Sequence, residues 1–288
     1  MAKHVFLIFF FLLLNLFGHA EENDQIKTHY ALTDDPIDVV IVSHPKDAET
    51  LDFCIEGIRE NCMKIRRIIV VSPVKLTKKA EWFDEKRFPF SKDDVAHIIG
   101  RGNKQKIRSP GWYYQQLLKL YAPFVIPGIS SNVLVIDADT IFMNPVEFLN
   151  DSFGGLFCFG HQGRNEEYFK HAERLVPGYA RIYPEVYSVC HHMLFQKRIL
   201  KDLFRTVEKS YDKEFWIAFC LCVDSPRGRR ASEYEIYYNY ALNHTDQVAL
   251  RELKWTSSGC PAEMERFKRE GYHFVSFHTY MRGKTCPG

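Results

Sequence analysis

The sequence predicts an α/β fold: one domain built on a mostly parallel central sheet with helices against its faces. Three observations carry that prediction. Residues 37–43 (Ile-Asp-Val-Val-Ile-Val-Ser), 67–72 (Arg-Ile-Ile-Val-Val-Ser) and 133–137 (Val-Leu-Val-Ile-Asp) are nearly continuous apolar, β-branched runs, the pattern of strands buried on both faces. Between the first two, residues 48–62 space Leu51, Ile55 and Ile58 along one side of a helix. A strand, a helix and a strand in that order close by a right-handed crossover into a parallel pair.

The remaining elements follow the same reasoning. Residues 81–108 are charged and without clear period. A helix is predicted over 112–124, with Leu117, Leu118 and Tyr121 on its core side, broken by Pro127-Gly128. Residues 154–160 read as a further strand, and 163–187, rich in Arg, Glu and Tyr, as a surface excursion over a site. A short strand at 193–195 precedes an amphipathic helix over 198–209 and a second helix over 215–222. Residues 226–230 (Pro-Arg-Gly-Arg-Arg) form a loop. Ser232 opens a helix that runs to about Leu242, and 274–277 is a last short strand. No internal repeat or low-complexity linker divides the chain, so its 288 residues are read as one domain over 37–288 after a polar lead-in over 21–36.

Residues 1–20 stand apart. Lys3 and His4 precede thirteen residues, Val5 to Phe17, that are apolar except for Asn15, and Gly18-His-Ala20 supplies small residues for cleavage. A spanning helix needs roughly 20 apolar residues, so this reads as a secretory signal peptide and implies export with no stable membrane span afterwards. The eight cysteines, all beyond it, are scattered without a Cys-x-x-Cys pair, which argues against zinc. Cys54, Cys158 and Cys220 lie in apolar runs and are expected as packed thiols; Cys260 and Cys286 lie in Pro-containing loops and could pair. A formal charge of +2 gives no electrostatic footprint for nucleic acid.

Asp137 and Asp139 carry the functional reading. Four apolar residues deliver them at the carboxyl end of a buried strand, where α/β sheets keep their ligand crevices. Two carboxylates one residue apart can hold a hard divalent cation, which can in turn bridge diphosphate oxygens. A plain solvated acidic turn is one alternative. A haloacid-dehalogenase-type phosphatase is another, but that pattern wants Asp-x-Asp-x-Thr or Val and opens its domain. Here Thr140 directly follows Asp139, and at least two strands come first.

Asp137-Ala-Asp-Thr-Ile-Phe142, after a helix carrying Leu117-Leu-Lys-Leu-Tyr121, resembles the glycosyltransferases of the GT-A (Rossmann-like) fold. The resemblance covers about residues 37–278. It is strongest to a bacterial-type branch with Gly-Trp…Gln-Gln-Leu-Leu-Lys before the Asp-x-Asp and Ser-Glu-Tyr-Glu after it. It implies that Asp137 and Asp139 hold Mn²⁺ or Mg²⁺ on the diphosphate of a nucleotide sugar, most simply a UDP-sugar. His278, closing the last strand, falls where that fold places a further metal ligand, and an imidazole ligand would favour Mn²⁺.

Other positions are assigned through the same resemblance. Glu233 falls where inverting members place a general base at a helix start, although Ser232 stands where an acid is common. Glu235, the second carboxylate there, also completes a capping box with Ser232. His191 and His192 fall where relatives contact the donor sugar; being adjacent, they face opposite ways, so at most one reaches the site. Gln115, Gln116 and Lys119 sit on the helix that would face the donor, with Gln115 and Lys119 sharing a side. Ser43 and His44 end the first strand, where the fold holds nucleoside. The basic run 101–108 could meet the diphosphate or an anionic acceptor, or be solvated surface.

The expectation is therefore sugar transfer from a nucleotide sugar to a hydroxyl of a glycan, lipid or protein, with inversion. Two other classes compete. A GT-A-like nucleotidyltransferase would need a Gly-rich basic loop after the first strand, and Ser43-His-Pro-Lys46 lacks one. An exported sugar- or nucleotide-binding protein on an inactive scaffold would keep the fold without turnover. Asn150-Asp-Ser and Asn243-His-Thr are glycosylation sequons in a eukaryotic secretory setting.

Overall fold

A computed structural model of the chain describes residues 27–100, 107, 109–160, 165–278 and 281. The expected signal peptide, most of the basic run at 101–108, and Cys286 lie outside these residues.

The central sheet has five strands in the order β3-β2-β1-β4-β7. β1 (Ile37–Val42), β2 (Ile65–Ser72), β3 (Glu81–Asp84) and β4 (Asn132–Asp137) are parallel, and β7 (His192–Gln196) runs antiparallel along β4. Every residue of β1 is buried, as its unbroken apolar pattern requires. Alternate residues feed two cores. Ile37, Val39 and Ile41 pack with Leu51, Ile55 and Ile58 of helix α1 (Ala48–Asn61). Val40 and Val42 pack on the other face with Leu117, Leu118 and Leu120 of helix α3 (Pro110–Val125).

The chain leaves β1 in one direction to build β2 and β3, then returns to place β4 on β1's other side. β1 and β4 therefore form the topological switch point, and Val42 pairs with Asp137 at their carboxyl ends. A small second sheet, β5 (Thr140–Phe142), β10 (Phe274–Ser276) and β9 (Trp255–Ser257), sits directly beyond that end. β5 is antiparallel to β10, and the Phe277 amide donates to the Asp139 carbonyl over 2.8 Å. This fold-back carries the chain end to the Asp-Ala-Asp turn. A third pair, β6 (Leu156–Cys158) with β8 (Ala249–Arg251), is parallel.

Several boundaries differ from the sequence reading. The aperiodic stretch after residue 81 holds β3 and helix α2 (Lys92–Gly100), a short helix with only Val95 and Ile99 buried. The region read as a surface excursion contains helix α4 (Glu166–Leu175), which buries Tyr168, His171, Ala172 and Leu175 on one face and keeps its Glu, Lys and Arg side chains off it. Helices α5 (Lys197–Tyr211), α6 (Phe215–Leu221) and α7 (Glu233–His244) fall where they were read. α8 (Met264–Arg269) was not anticipated.

Cys54, Cys62, Cys158, Cys190, Cys220 and Cys222 are buried free thiols, and Cys260 is disulfide-bonded. Neither sequon presents its amide. Asn243 is buried, with Nδ2 donating to the carbonyls of Ala180 and Asn239 at 2.7 Å, and Asn150 Nδ2 donates to the Gln247 carbonyl at 2.8 Å. Among the described residues no helix is long and apolar enough to cross a membrane.

Candidate active site

The carboxyl end of β4 opens into a cleft of about 580 Å³. Asp137, Ala138 and Asp139 form its floor; Gln115, Gln116 and Lys119 come from α3, Glu233 and Tyr234 from the start of α7, His191 from just before β7 and His278 from just after β10.

Lys119 is buried in a helix interior, which requires compensation for its charge. Its ammonium bonds Asp137 Oδ1, Glu233 Oε1 at 2.6 Å and the Tyr234 hydroxyl at 3.0 Å, and lies 4.5 Å from the Tyr234 ring centre. Burial disfavours each charge, yet the balance differs. For Lys119 the charges of Asp137 and Glu233 outweigh desolvation and hold it firmly protonated. For Asp137 burial is again the largest single influence, but Lys119 and His191 overcome it and keep the carboxyl well below the usual range. For Glu233 burial wins and raises the carboxyl despite Lys119.

A second set of contacts lies across the turn. His191 Nδ1 is 3.1 Å from Asp137 Oδ2, and His278 Nδ1 is 3.4 Å from Asp139 Oδ2. The two imidazoles face one another with ring centres 4.8 Å apart. Ser257 Oγ meets His278 Nε2 at 3.1 Å, and Trp255 packs edge-on against His191. His191 has φ of 62°, a left-handed conformation uncommon outside glycine, and its carbonyl accepts the Asp137 amide at 2.9 Å. That kink aims the ring at the carboxylates just before β7 begins.

His192, the first residue of β7, faces the other way. It is buried among Phe142, Phe148 and Phe274, with Nδ1 against the Cys190 carbonyl at 2.9 Å. A sugar contact from His192 is therefore withdrawn. Glu235 is likewise withdrawn as a catalytic group. Ser188 Oγ donates to its Oε2, and Asn239 Nδ2 donates to Oε1 at 3.0 Å, with Arg181 3.6 Å away. Ser232 does cap α7, accepting the Glu235 amide at 3.4 Å, but the Glu235 carboxylate is spent inside the core. Ser43 is buried and His44 exposed, and neither lines the cleft; Val42, Lys46 and Asp47 of the same loop do. Gln116 is buried and accepts the Glu233 amide at 3.2 Å, so it positions α7.

The donor set suits a divalent cation. Ligands about 2.1 Å from one small ion lie about 3 Å from each other, the spacing seen between His191 and Asp137 and, slightly longer, between His278 and Asp139. Carboxylate with imidazole matches Mn²⁺ better than Mg²⁺. As the side chains stand, no group of three or more His, Cys, Asp or Glu among the described residues is gathered around one point. Asp137 places one oxygen on Lys119 and the other on His191.

The sequence reading missed the cleft's other wall: Trp112, Tyr168, Tyr187 and Arg229. Trp112 could have been found from its place one turn before Gln115 and Gln116; Tyr168 and Tyr187 lie in the Tyr-rich stretch 163–187 that was read as an excursion over a site, without being singled out within it.

The fold and site define an α/β protein with a carboxylate, imidazole and lysine cluster at the switch point of a mostly parallel sheet. The chain belongs to DUF6492, a family of unknown function, whose model matches residues 23–264. No curated protein matches it. Among solved structures it is similar to the bifunctional glycosyltransferase WbbM in its apo form, at 14% identity and a TM-score of 0.45, covering 87% of this chain and 47% of that one. It is also similar to an active-site mutant of LgtC, at 12% identity and 0.44, covering 83% and 86% respectively. Apo mouse xyloside xylosyltransferase 1 matches at 12% identity and 0.42, covering 87% of this chain and 100% of that chain. The chain spans about half the length of WbbM.

Proposed function

We propose that the chain is a GT-A-type glycosyltransferase that moves a sugar from a nucleoside diphosphate sugar to an acceptor hydroxyl. The single observation that carries this reading is the convergence of Asp137, Asp139, His191, His278 and Lys119 at the switch point, the place where open α/β sheets bind nucleotides. Asp137, Asp139 and His278 are the residues that would hold Mn²⁺, or Mg²⁺, with His191 beside them. Such a cation, when bound, supplies positive charge to the departing diphosphate.

The chain's own residues have the remaining roles. Lys119 fixes the carboxylate of Asp137 and contributes a permanent positive charge beneath the diphosphate. Gln115, on the same side of α3, is placed to contact the donor. Lys46 and Asp47 are the residues of the first loop that reach the cleft and so take the role first given to Ser43 and His44. A UDP-sugar is the favoured donor, and a glycan, lipid or protein hydroxyl the acceptor. The apolar segment at 5–17 supports action outside the cytosol or in a secretory lumen.

Glu233 is the carboxylate available to take the acceptor's proton. Its raised pKa suits a general base, and direct displacement would invert the sugar. Its bond to Lys119 favours a second reading, in which Glu233 is the counter-ion that holds Lys119 under the donor. Glu233→Gln separates the two. As base, the variant is expected to lose about 100-fold or more in kcat, with donor KM unchanged and the acidic limb of the pH profile gone. A rise in donor KM with kcat kept would assign it as counter-ion, and unchanged turnover would remove it from the site altogether.

A further inference from the structure

The wall of the cleft opposite the Asp-Ala-Asp turn has a different chemistry. Trp112, at the start of α3, and Tyr168, on α4, stack with ring centres 6.1 Å apart and planes within 17°. The guanidinium of Arg229 lies 4.6 Å from the Trp112 ring centre. The loop carrying Arg229 is fastened to α3 on both sides of it. Trp112 Nε1 donates to the Ala231 carbonyl at 2.8 Å, and the Tyr113 hydroxyl donates to the Gly228 carbonyl at 3.2 Å.

The neighbouring arginine shows what Arg229 does not do. Arg230 pairs with Glu167 and lies 3.5 Å from Asp224. Arg229 is exposed and pairs with no carboxylate among the described residues; it lies over the indole ring and acts electrostatically on the Tyr168 hydroxyl. Asp137 and Glu233, the carboxylates at the cleft floor, are both paired with Lys119, so neither engages Arg229. Stacking on an aromatic face leaves the planar edge of a guanidinium pointing outward, and that edge bonds a carboxylate or phosphate with two parallel N–H groups. The half-buried indole beneath it adds apolar surface against which a sugar ring can rest.

We propose that this wall is the acceptor subsite and that it selects an acceptor bearing an anionic group, a carboxylate or a phosphate, held by Arg229 above Trp112. The proposal rests on the glycosyltransferase reading for the word acceptor; the recognition of an anionic saccharide does not depend on it.

The test is an NMR titration of the full chain with three probes: trigalacturonate, its neutral methyl ester, and glucose 6-phosphate. Each is repeated on Arg229→Gln, and UDP with Mn²⁺ is titrated into both proteins. At least one anionic probe is expected to bind about tenfold more tightly than the ester, and Arg229→Gln to erase that margin while UDP binding is kept. Preference for the first probe identifies a carboxylate and for the third a phosphate. The advantage should shrink in 0.5 M salt, a concentration at which screening reaches about 4–5 Å. Equal binding of ester and anions, or a margin that survives Arg229→Gln, would overturn the proposal. So would loss of UDP binding in Arg229→Gln, which would assign the guanidinium to the donor's diphosphate. A wild-type chain that binds the anionic probe but not UDP would sink the glycosyltransferase reading and leave the anion site standing.

Discussion

Lys119 is the one buried cation shared by the carboxylates of Asp137 and Glu233, so its removal would leave both without their common partner. Such groups are costly as stability devices, which is why their presence at a cleft floor points to chemistry rather than to folding. His171 gives the contrasting case of a buried histidine with a purely structural setting. It packs edge-on against Phe219, with Nε2 at 3.0 Å from that residue's carbonyl, and Nδ1 has no hydrogen-bond partner among the described residues. Burial lowers its pKa to about 4, against a smaller upward pull from the Phe219 carbonyl, while Arg174 and Asp224 act in opposite senses. The folded chain thus binds fewer protons at His171 than the unfolded chain. Its contribution is complete above an unfolded pKa of about 6.5 and is lost as pH falls toward 4. Urea denaturation at pH 7 and pH 5 is expected to show about 2 kcal/mol of acid loss that His171→Gln lacks. Equal losses in the two proteins would refute this. The sequence made Asp137 and Asp139 legible because four apolar residues ran straight into them. It could not say which of His191 and His192 turns inward, because that choice is set by the left-handed backbone at His191, stabilised by long-range contacts to Asp137 and Trp255.

At the scale of elements, the active site depends on how tightly α1 lies on β5. Gly57 is the contact point: a Cβ there would come within 2.6 Å of the Phe142 carbonyl oxygen. Asn61 reinforces the contact, its Nδ2 donating to the same carbonyl at 3.0 Å. Gly57→Ala must push α1 away from the strand that follows Asp139. The expected cost is about 1–3 kcal/mol by thermal or chemical denaturation, although alanine is the better helix former. A stabilised variant would contradict the close packing. The buried parallel strands were legible from their β-branched runs, and α5 from its apolar stripe. Of the three-residue strands, β10 was legible from its apolar run, but β5 and β9 were not, since pairing of so short a strand is decided by its distant partner and not by its own composition. α4 was hidden for another reason: its apolar residues are few and lie among Arg, Glu and Tyr, yet all fall on one face.

At the scale of the whole molecule, the chain order explains the site. β1 to β4 build most of the sheet and bring Asp137 to the carboxyl end of β4, α7 returns Glu233 to the same opening, and the last described strand delivers His278. Residues separated by more than 130 positions therefore meet within 3.4 Å, as His278 and Asp139 do. Sequence order hinted at this through the resemblance, but the aromatic and Arg229 wall arises only from the fold. The central claim is that this cleft binds a nucleoside diphosphate through a divalent cation. Calorimetric titration of UDP into the full chain, with and without Mn²⁺, and into Asp139→Ala, tests it most directly. Saturable binding that requires Mn²⁺ and weakens at least about tenfold in Asp139→Ala is the expected result. Absence of binding, or binding indifferent to both the metal and Asp139, would contradict it.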